Sequence, residues 1–148
     1  MKKSLYFLLP VVLFLSACES QFDEDKEIIL DYLAENNIEA EKTDEGVYYV
    51  IDNEGTGDRP LVSSTVTVDY EGHLIDGSVF DSSYDRGTPT TFGLWQVIRG
   101  WQIGIPLFKE GGKGTLYIPS ELAYGSQAKN GIPRNSVLVF NIELIDVE

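Results

Sequence analysis

Apolar positions along the chain follow three patterns, one after another. An uninterrupted apolar run occupies residues 5–15. Residues 23–36 place apolar side chains at helical spacing, and from Gly46 onward short apolar or alternating stretches are separated by glycines. Helical spacing indicates an amphipathic helix, whereas short stretches between glycine turns are typical of β-strands. The pattern therefore predicts one N-terminal helix followed by a β-rich region.

The predicted helix over residues 23–36 carries acidic residues in its first turn, where the helix dipole stabilises negative charge. Its apolar stripe consists of Ile28, Ile29, Tyr32 and Leu33. Such a stripe packs on the rest of the chain or serves a partner protein. Because the stripe contains only four side chains, we expect the helix to pack on the β-rich region.

Four stretches of the β-rich region are predicted strands: residues 47–51, 65–72, 114–119 and 137–145. One short helix is predicted between them, over residues 100–108. Antiparallel pairing is expected, because parallel strands would need long crossover helices that the pattern does not contain. These elements predict an α+β domain.

The N-terminal apolar run has the features of a targeting segment. Two lysines precede it, and its eleven residues reach only about half of a ~30 Å hydrocarbon core, which is typical of a secretory signal peptide over residues 1–17. Residues 15–18, Leu-Ser-Ala-Cys, resemble a bacterial lipobox, in which cleavage leaves an acylated cysteine at the N-terminus. An ordinary signal peptide that happens to contain a cysteine is the alternative. The position of the chain's single cysteine favours lipidation of Cys18.

Composition and charge exclude several kinds of chemistry. The 148 residues are 43% hydrophobic and 24% charged, which suits one well-packed domain. There are 24 acidic and 11 basic residues, and the net charge of −13 disfavours nucleic acid as a partner. With one cysteine and one histidine, His73, the chain lacks the residues for common zinc clusters, an internal disulfide or most nucleophilic mechanisms. We therefore expect an activity that uses no metal and no cofactor.

Charge also bears on how the chain would attach to a membrane. Removal of residues 1–17 would take away two lysines and no acidic residue, so the net charge would fall from −13 to −15. An anionic membrane surface repels such a chain, so we expect lipid on Cys18 to provide the attachment within the cell envelope. Residues 19–25 are mostly acidic and form either a solvated tether or a sorting signal.

Several short motifs of the β-rich region occur in a characteristic order: VDYEG (68–72), VFDSS (79–83), VIRGW (97–101), AYG (123–125), IP (132–133) and VLVF (137–140). In this order and spacing they resemble the FKBP-type peptidyl-prolyl cis-trans isomerases. The resemblance implies an α+β fold in which a five-stranded antiparallel sheet curls around one short helix. It also implies that an isomerase domain over residues 46–148 follows a segment, 18–45, that contains the acidic stretch and the N-terminal helix.

A substrate groove between the sheet and the short helix is a further implication of the resemblance. Trp101 would form its floor and receive the proline ring. Tyr70, Phe80 and Phe140 would form apolar walls. Three further residues would contact the substrate: Val97, Ile98 and Ile132.

Polar groups of the groove follow from the same resemblance. Tyr124 would offer its hydroxyl, and Ile98 its backbone N–H, to substrate carbonyls. Asp81 would lie at the wall, held in place by Arg86. The implied partners are proline-containing polypeptides and the macrolide ligands of the family, and the domain is expected to be a monomer.

Three positions need an interpretation of their own. Thr90 stands where well-known members carry a phenylalanine of the groove wall, so one apolar contact is expected to be lost. Phe92 is expected to belong to the core, because aromatic residues on strands usually do. Trp95 occupies a segment where smaller or polar residues are common, and we expect it to extend the rim of the groove.

Isomerisation of an X–Pro bond is slow because rotation breaks the amide resonance, with a barrier of about 18–20 kcal/mol. An apolar groove removes the water that stabilises the planar form, so selective binding of the twisted form lowers the barrier. The favoured interpretation is an isomerase of proteins that fold in the cell envelope. A module that only binds proline-containing segments and a purely structural lipoprotein are the alternatives. The full set of Tyr70, Asp81, Trp101 and Tyr124 favours the enzyme.

Overall fold

The computed structural model describes residues 20–148. The predicted signal peptide and Cys18 therefore lie outside the described residues. Within residues 20–148, no helix is both long enough and apolar enough to cross a membrane. The division of the chain after residues 17 and 45 stays a prediction.

The described chain contains three α-helices and seven β-strands, joined by turns and short 3₁₀ segments. The helices are α1 (Gln21–Glu35), α2 (Ser83–Arg86) and α3 (Arg99–Gly104). The strands are β1 (Glu41–Lys42), β2 (Tyr48–Asn53), β3 (Thr65–Leu74), β4 (Val79–Ser82), β5 (Thr90–Gly93), β6 (Lys113–Ile118) and β7 (Leu138–Val147). The four predicted strands are confirmed as β2, β3, β6 and β7, with ends that differ by at most two residues.

All seven strands belong to one antiparallel sheet. Its order is β1-β2-β6-β7-β3, and β4 and β5 both pair with the outer edge of β3. The resemblance implied five strands. The sheet has seven because β1 extends one edge by two residues and because α2 divides the other edge into β4 and β5.

Helix α3 lies against one face of the sheet, where it closes a large buried cluster that we call the inner cluster. Gly100 permits this close approach, because a Cβ atom at that position would collide with Ile118 of β6. Trp101, the next residue, is thereby brought into the inner cluster. The helix is shorter than predicted, because Pro106 has no N–H for an α-helical hydrogen bond and the chain continues as a 3₁₀ turn over Ile105–Leu107.

Helix α1 covers the opposite face of the sheet. Successive strand residues point to opposite faces, so Leu116 of β6 belongs to the inner cluster and Tyr117 to a second one. This second cluster, the outer cluster, contains Ile29 and Leu33 of α1 packed on side chains of the sheet and of the chain before β7: Tyr48, Tyr117, Val137 and Val139. The expectation that the N-terminal helix packs on the β-rich region is confirmed.

Two expectations for the N-terminal segment are wrong. Ile28, predicted on the buried stripe, is 41% exposed, because Ile29 and Leu33 define the buried line of the helix. The acidic stretch is not a solvated tether over most of its length. It forms the first turns of α1, which Ser20 and Asp23 begin with a capping box.

We expect Ile29→Ala to lower the free energy of unfolding by about 2–5 kcal/mol, because it leaves a cavity in the outer cluster. Ile28→Ala is the matched control, since Ile28 is 41% exposed and Ile29 is 0% exposed. That substitution should change the free energy of unfolding by less than about 1 kcal/mol. Urea unfolding followed by circular dichroism measures both. Equal effects of the two substitutions would show that Ile29 does not dock α1 on the sheet.

Candidate active site

A groove of about 680 Å³ opens between α3, the sheet and the loop that precedes β7. This volume lies within the range of small-molecule binding pockets. The groove is lined by Tyr70, Phe80, Asp81, Thr90, Phe92, Gln96, Val97, Ile98, Trp101, Tyr124, Lys129, Asn130, Ile132 and Phe140. The nine residues that the resemblance places in the groove are therefore brought together, while Arg86 lies behind Asp81. The roles of these residues in binding and turnover stay predictions.

Trp101 forms the floor of the groove and is 5% exposed. The ring of Tyr70 meets it edge-on with 4.9 Å between ring centroids, and the ring of Phe140 does so at 5.1 Å. Phe80 packs edge-on against Phe140 in turn, at 5.5 Å. Gly72 on β3 makes room for these rings, because a Cβ atom there would lie 2.6 Å from Phe80 and 2.7 Å from Phe140. Such interlocked edge-to-face contacts hold the apolar surface in one shape.

The indole N–H of Trp101 is buried and finds no hydrogen-bond acceptor within residues 20–148. Buried polar groups nearly always have a partner, and an unmet donor costs about 1–3 kcal/mol.

Asp81 at the groove wall is held from two sides. The hydroxyl of Tyr70 donates to its Oδ2, and the guanidinium of Arg86 forms an ion pair with its Oδ1. Arg86 also donates to the Tyr70 hydroxyl at 3.1 Å and to the hydroxyl of Thr90 at 3.0 Å. Thr90 thus replaces the expected apolar contact with a further acceptor for the guanidinium. Both carboxylate oxygens are engaged, so the network supplies a fixed polar wall.

Burial raises the pKa of the Tyr70 phenol, and its hydrogen bond to Asp81 raises that pKa further. Hydrogen bonds to Tyr70 and Asp81 raise the pKa of the Arg86 guanidinium. Near neutral pH the phenol therefore stays protonated and the guanidinium stays charged. Neither group exchanges a proton in the pH range where enzymes usually work.

The rim of the groove carries polar groups. Ile98 precedes the first turn of α3, and its N–H donates to no backbone carbonyl of the described residues. Tyr124 is partly exposed, and the ammonium of Lys129 lies 5.5 Å from the centre of its ring. Sequence reasoning missed Lys129 and its neighbour Asn130, because a loop residue has no periodic pattern that assigns it to a face.

Phe92 packs against the inner cluster, as expected for a core residue, and it also lines the groove, where it lies 5.3 Å from Trp101 between ring centroids. It is two residues from Thr90 on β5, and residues two apart share a face of a strand, so this signal was available in the sequence. Trp95, expected at the rim, is 54% exposed, lies outside the groove lining and covers Gly93.

His73 was expected to be a surface residue of a strand. It is half-buried on β3 and does not line the groove. Its ring Nδ1 lies 2.9 Å from the carbonyl oxygen of Leu74. The chain's single histidine is therefore engaged with the backbone, away from the groove.

Comparison with known proteins places this geometry in a family. Residues 57–145 match the FKBP-type peptidyl-prolyl cis-trans isomerases. The FkpA isomerase of Aeromonas hydrophila is 45% identical over 120 residues, which are 80% of this chain and 45% of that protein. The crystal structure of FkpA from Escherichia coli has a TM-score of 0.77 and 45% identity over 84% of this chain and 58% of that one. A PPIase structure from Pseudomonas syringae pv. tomato has a TM-score of 0.73 and 32% identity over 88% of this chain and 98% of that one.

The chain therefore belongs to the FKBP-type peptidyl-prolyl cis-trans isomerase family, as its motifs indicated. The predicted α+β fold is confirmed by the sheet, the helices and these structural neighbours. The chain spans less than half the length of the Aeromonas relative.

We expect kcat/KM on an uncharged X–Pro peptide to stay within about twofold between pH 6 and 9. The raised pKa of Tyr70 keeps its phenol protonated as pH rises through this range, and the raised pKa of Arg86 keeps its charge. His73→Ala should leave the profile unchanged, because His73 lies outside the groove lining. A steep limb that disappears in His73→Ala would contradict this and point to acid–base catalysis.

Proposed function

We propose that this chain is a peptidyl-prolyl cis-trans isomerase that holds proline over Trp101 while the preceding peptide bond rotates. The observation that carries the proposal is the aromatic floor of the groove, which is fixed by edge-to-face packing and bordered by polar groups on one wall and at the rim. Membership in the family and a solved PPIase of nearly the same extent support it.

Selective binding of the twisted amide explains the rate enhancement without a covalent step. Amide resonance places negative charge on the carbonyl oxygen, and water stabilises that planar form by hydrogen bonding. On the apolar floor formed by Trp101 and Phe140, the substrate amide loses this water. The twisted bond, with its more amine-like nitrogen, loses less on entering the groove, so its free energy falls relative to the planar form.

Polar groups around the floor orient the substrate chain. The free N–H of Ile98 and the hydroxyl of Tyr124 are available to substrate carbonyls. Asp81 carries a charge that Arg86 and Tyr70 compensate, so the wall is polar without attracting bulk water into the floor. In this mechanism no residue accepts or donates a proton.

Substitutions in the groove test the mechanism. We expect Asp81→Ala and Tyr124→Phe each to lower kcat/KM by roughly 5–150-fold, because one hydrogen bond or charge contact supplies about 1–3 kcal/mol. Trp101→Ala should lower it further, since the floor offers the largest contact area. A protease-coupled assay on X–Pro peptides measures each, with circular dichroism to confirm folding.

Trp95→Ala is the matched control, because Trp95 is exposed and lies outside the groove lining. It should retain wild-type kcat/KM. If the wild-type protein binds proline peptides without accelerating their isomerisation, the proposal is wrong and the chain is a binding module. Complete loss of turnover from one polar substitution would instead indicate acid–base or nucleophilic chemistry.

We further propose that the protein acts in the cell envelope as a lipoprotein anchored through Cys18. The basic start, the short apolar run and the Leu-Ser-Ala-Cys sequence support this proposal. Acylation would attach a chain whose net charge of −15 after cleavage opposes electrostatic binding to anionic lipid.

Cys18→Ala tests the anchor. We expect this substitution to abolish metabolic labelling with a radioactive fatty acid and to release the protein from the membrane fraction or leave it unprocessed. Cells that express the unsubstituted chain provide the control. Unchanged labelling of the Cys18→Ala protein would show that Cys18 is not the lipid attachment site.

We also propose that the macrolide ligands of the family compete with proline for the groove and that the domain acts as a monomer. The groove volume of about 680 Å³ supports the first of these proposals. The side chain of Thr90 has much less apolar surface than a phenylalanine ring. We therefore expect macrolide affinity to be lower than in family members that carry phenylalanine at this position.

A further inference from the structure

Asp25 on α1 is the one charged side chain of residues 20–148 that is buried, and it is 0% exposed. Its Oδ2 accepts a hydrogen bond from the backbone N–H of Ser120 at 2.7 Å and another from the Ser120 hydroxyl at 2.6 Å. Its Oδ1 accepts a third from the side chain of Gln21 at 2.8 Å. These hydrogen bonds compensate the cost of burying a carboxylate and join α1 to a segment 95 residues away in the chain.

Ser120 sets the position of the loop that carries Tyr124. Its carbonyl accepts hydrogen bonds from the N–H of Ala123 at 2.9 Å and from the N–H of Gly125 at 2.8 Å. These two peptide groups lie on either side of Tyr124 in the chain. Gly125 in turn accepts a hydrogen bond from the N–H of Asn135 at 2.7 Å. The backbone around Tyr124 is therefore held by the residue that Asp25 binds.

We propose that Asp25 is a positioning residue of the active site, which acts through Ser120 to hold Tyr124 at the rim of the groove. Helix α1, on the face of the sheet opposite α3, then belongs to the scaffold of the groove. This inference rests on the proposed function, in which the Tyr124 hydroxyl binds a substrate carbonyl.

The chemistry of the contact favours a positioning role over simple attachment of α1. Ile29 and Leu33 already dock the helix through apolar contacts, which are not directional. A buried charge adds little net stability, because its desolvation opposes the gain from its hydrogen bonds. The two hydrogen bonds that Asp25 accepts from the N–H and the hydroxyl of Ser120 instead fix distance and direction.

The test compares Asp25→Ala and Asp25→Asn with two matched controls in the full chain. Asp31→Ala removes an exposed carboxylate from the same helix, and Ile29→Ala weakens the docking of the helix while it keeps the side chains of Asp25 and Ser120. Two measurements are made at a temperature where all variants are folded. One is kcat/KM on an X–Pro peptide, and the other is the NMR signal of the Tyr124 ring in protein labelled at tyrosine.

We expect Asp25→Ala to lower kcat/KM by roughly fivefold or more, the lower limit for losing one hydrogen bond to the substrate. The Tyr124 ring signal should shift in Asp25→Ala and stay in place in Asp31→Ala and Ile29→Ala. Asp25→Asn keeps one carbonyl oxygen for Ser120 and should restore most of the activity. In a Tyr124→Phe background, Asp25→Ala should cost less than about twofold, because the hydroxyl it positions is already absent.

The proposal is overturned when Asp25→Ala lowers stability as Ile29→Ala does, yet leaves the Tyr124 signal and kcat/KM unchanged. If the Asp25→Ala protein does not fold, Ser120→Ala is used in its place. This substitution removes only the hydrogen bond of the Ser120 hydroxyl, so we expect the same changes in kcat/KM and in the Tyr124 signal, but smaller ones. The NMR signal of the Tyr124 ring is measured without substrate and does not depend on isomerase activity. A wild-type chain without isomerase activity would therefore refute the proposed function, while the signal would still decide whether Asp25 positions Tyr124.

Discussion

The edge-to-face contact between Trp101 and Tyr70 is the interaction on which both the core and the groove depend. Trp101 belongs to the inner cluster and also forms the floor, so the groove is the side of the core that no further element covers. Gly100 allows α3 to approach β6 closely enough for this arrangement. A substitution in the floor must therefore change stability and ligand binding together. The polar residues that could vary independently lie on the wall and at the rim.

The sheet has buried clusters on both faces, and this explains how a groove that opens to solvent can keep its shape. The inner cluster is incomplete on the groove side, whereas the outer cluster under α1 is closed by Ile29 and Leu33. Pairing of β3 with β7 along nearly the whole length of both strands links the two faces. Rigid support from the outer cluster is useful to a groove that acts by shape and desolvation, because such a mechanism tolerates little displacement of the floor.

Residues with a periodic or ordered signal could be predicted, and those whose position depends on tertiary contacts could not. Alternation placed the four long strands within two residues of their ends, and the ordered motifs brought nine predicted lining residues into one groove. Trp95 was placed wrongly because its 3₁₀ turn, Leu94–Gln96, has no periodicity that assigns a face. In the sequence, Asp25 is one of several acidic residues close together, and nothing distinguishes it from its neighbours. It is buried only because α1 packs against Ser120, which the sequence pattern does not show.

The start of α1 at Gln21, three residues beyond Cys18, has a consequence for how the domain would be presented to its surroundings. Three residues extend over at most about 10 Å. With Cys18 acylated, as proposed, only a short linker would separate the lipid from α1. Because α1 is docked on the sheet, the lipid would limit how far the whole domain can move from the membrane. The groove would then keep a restricted height and tilt above the bilayer. It would then meet only those clients that come within a thin layer at the membrane surface.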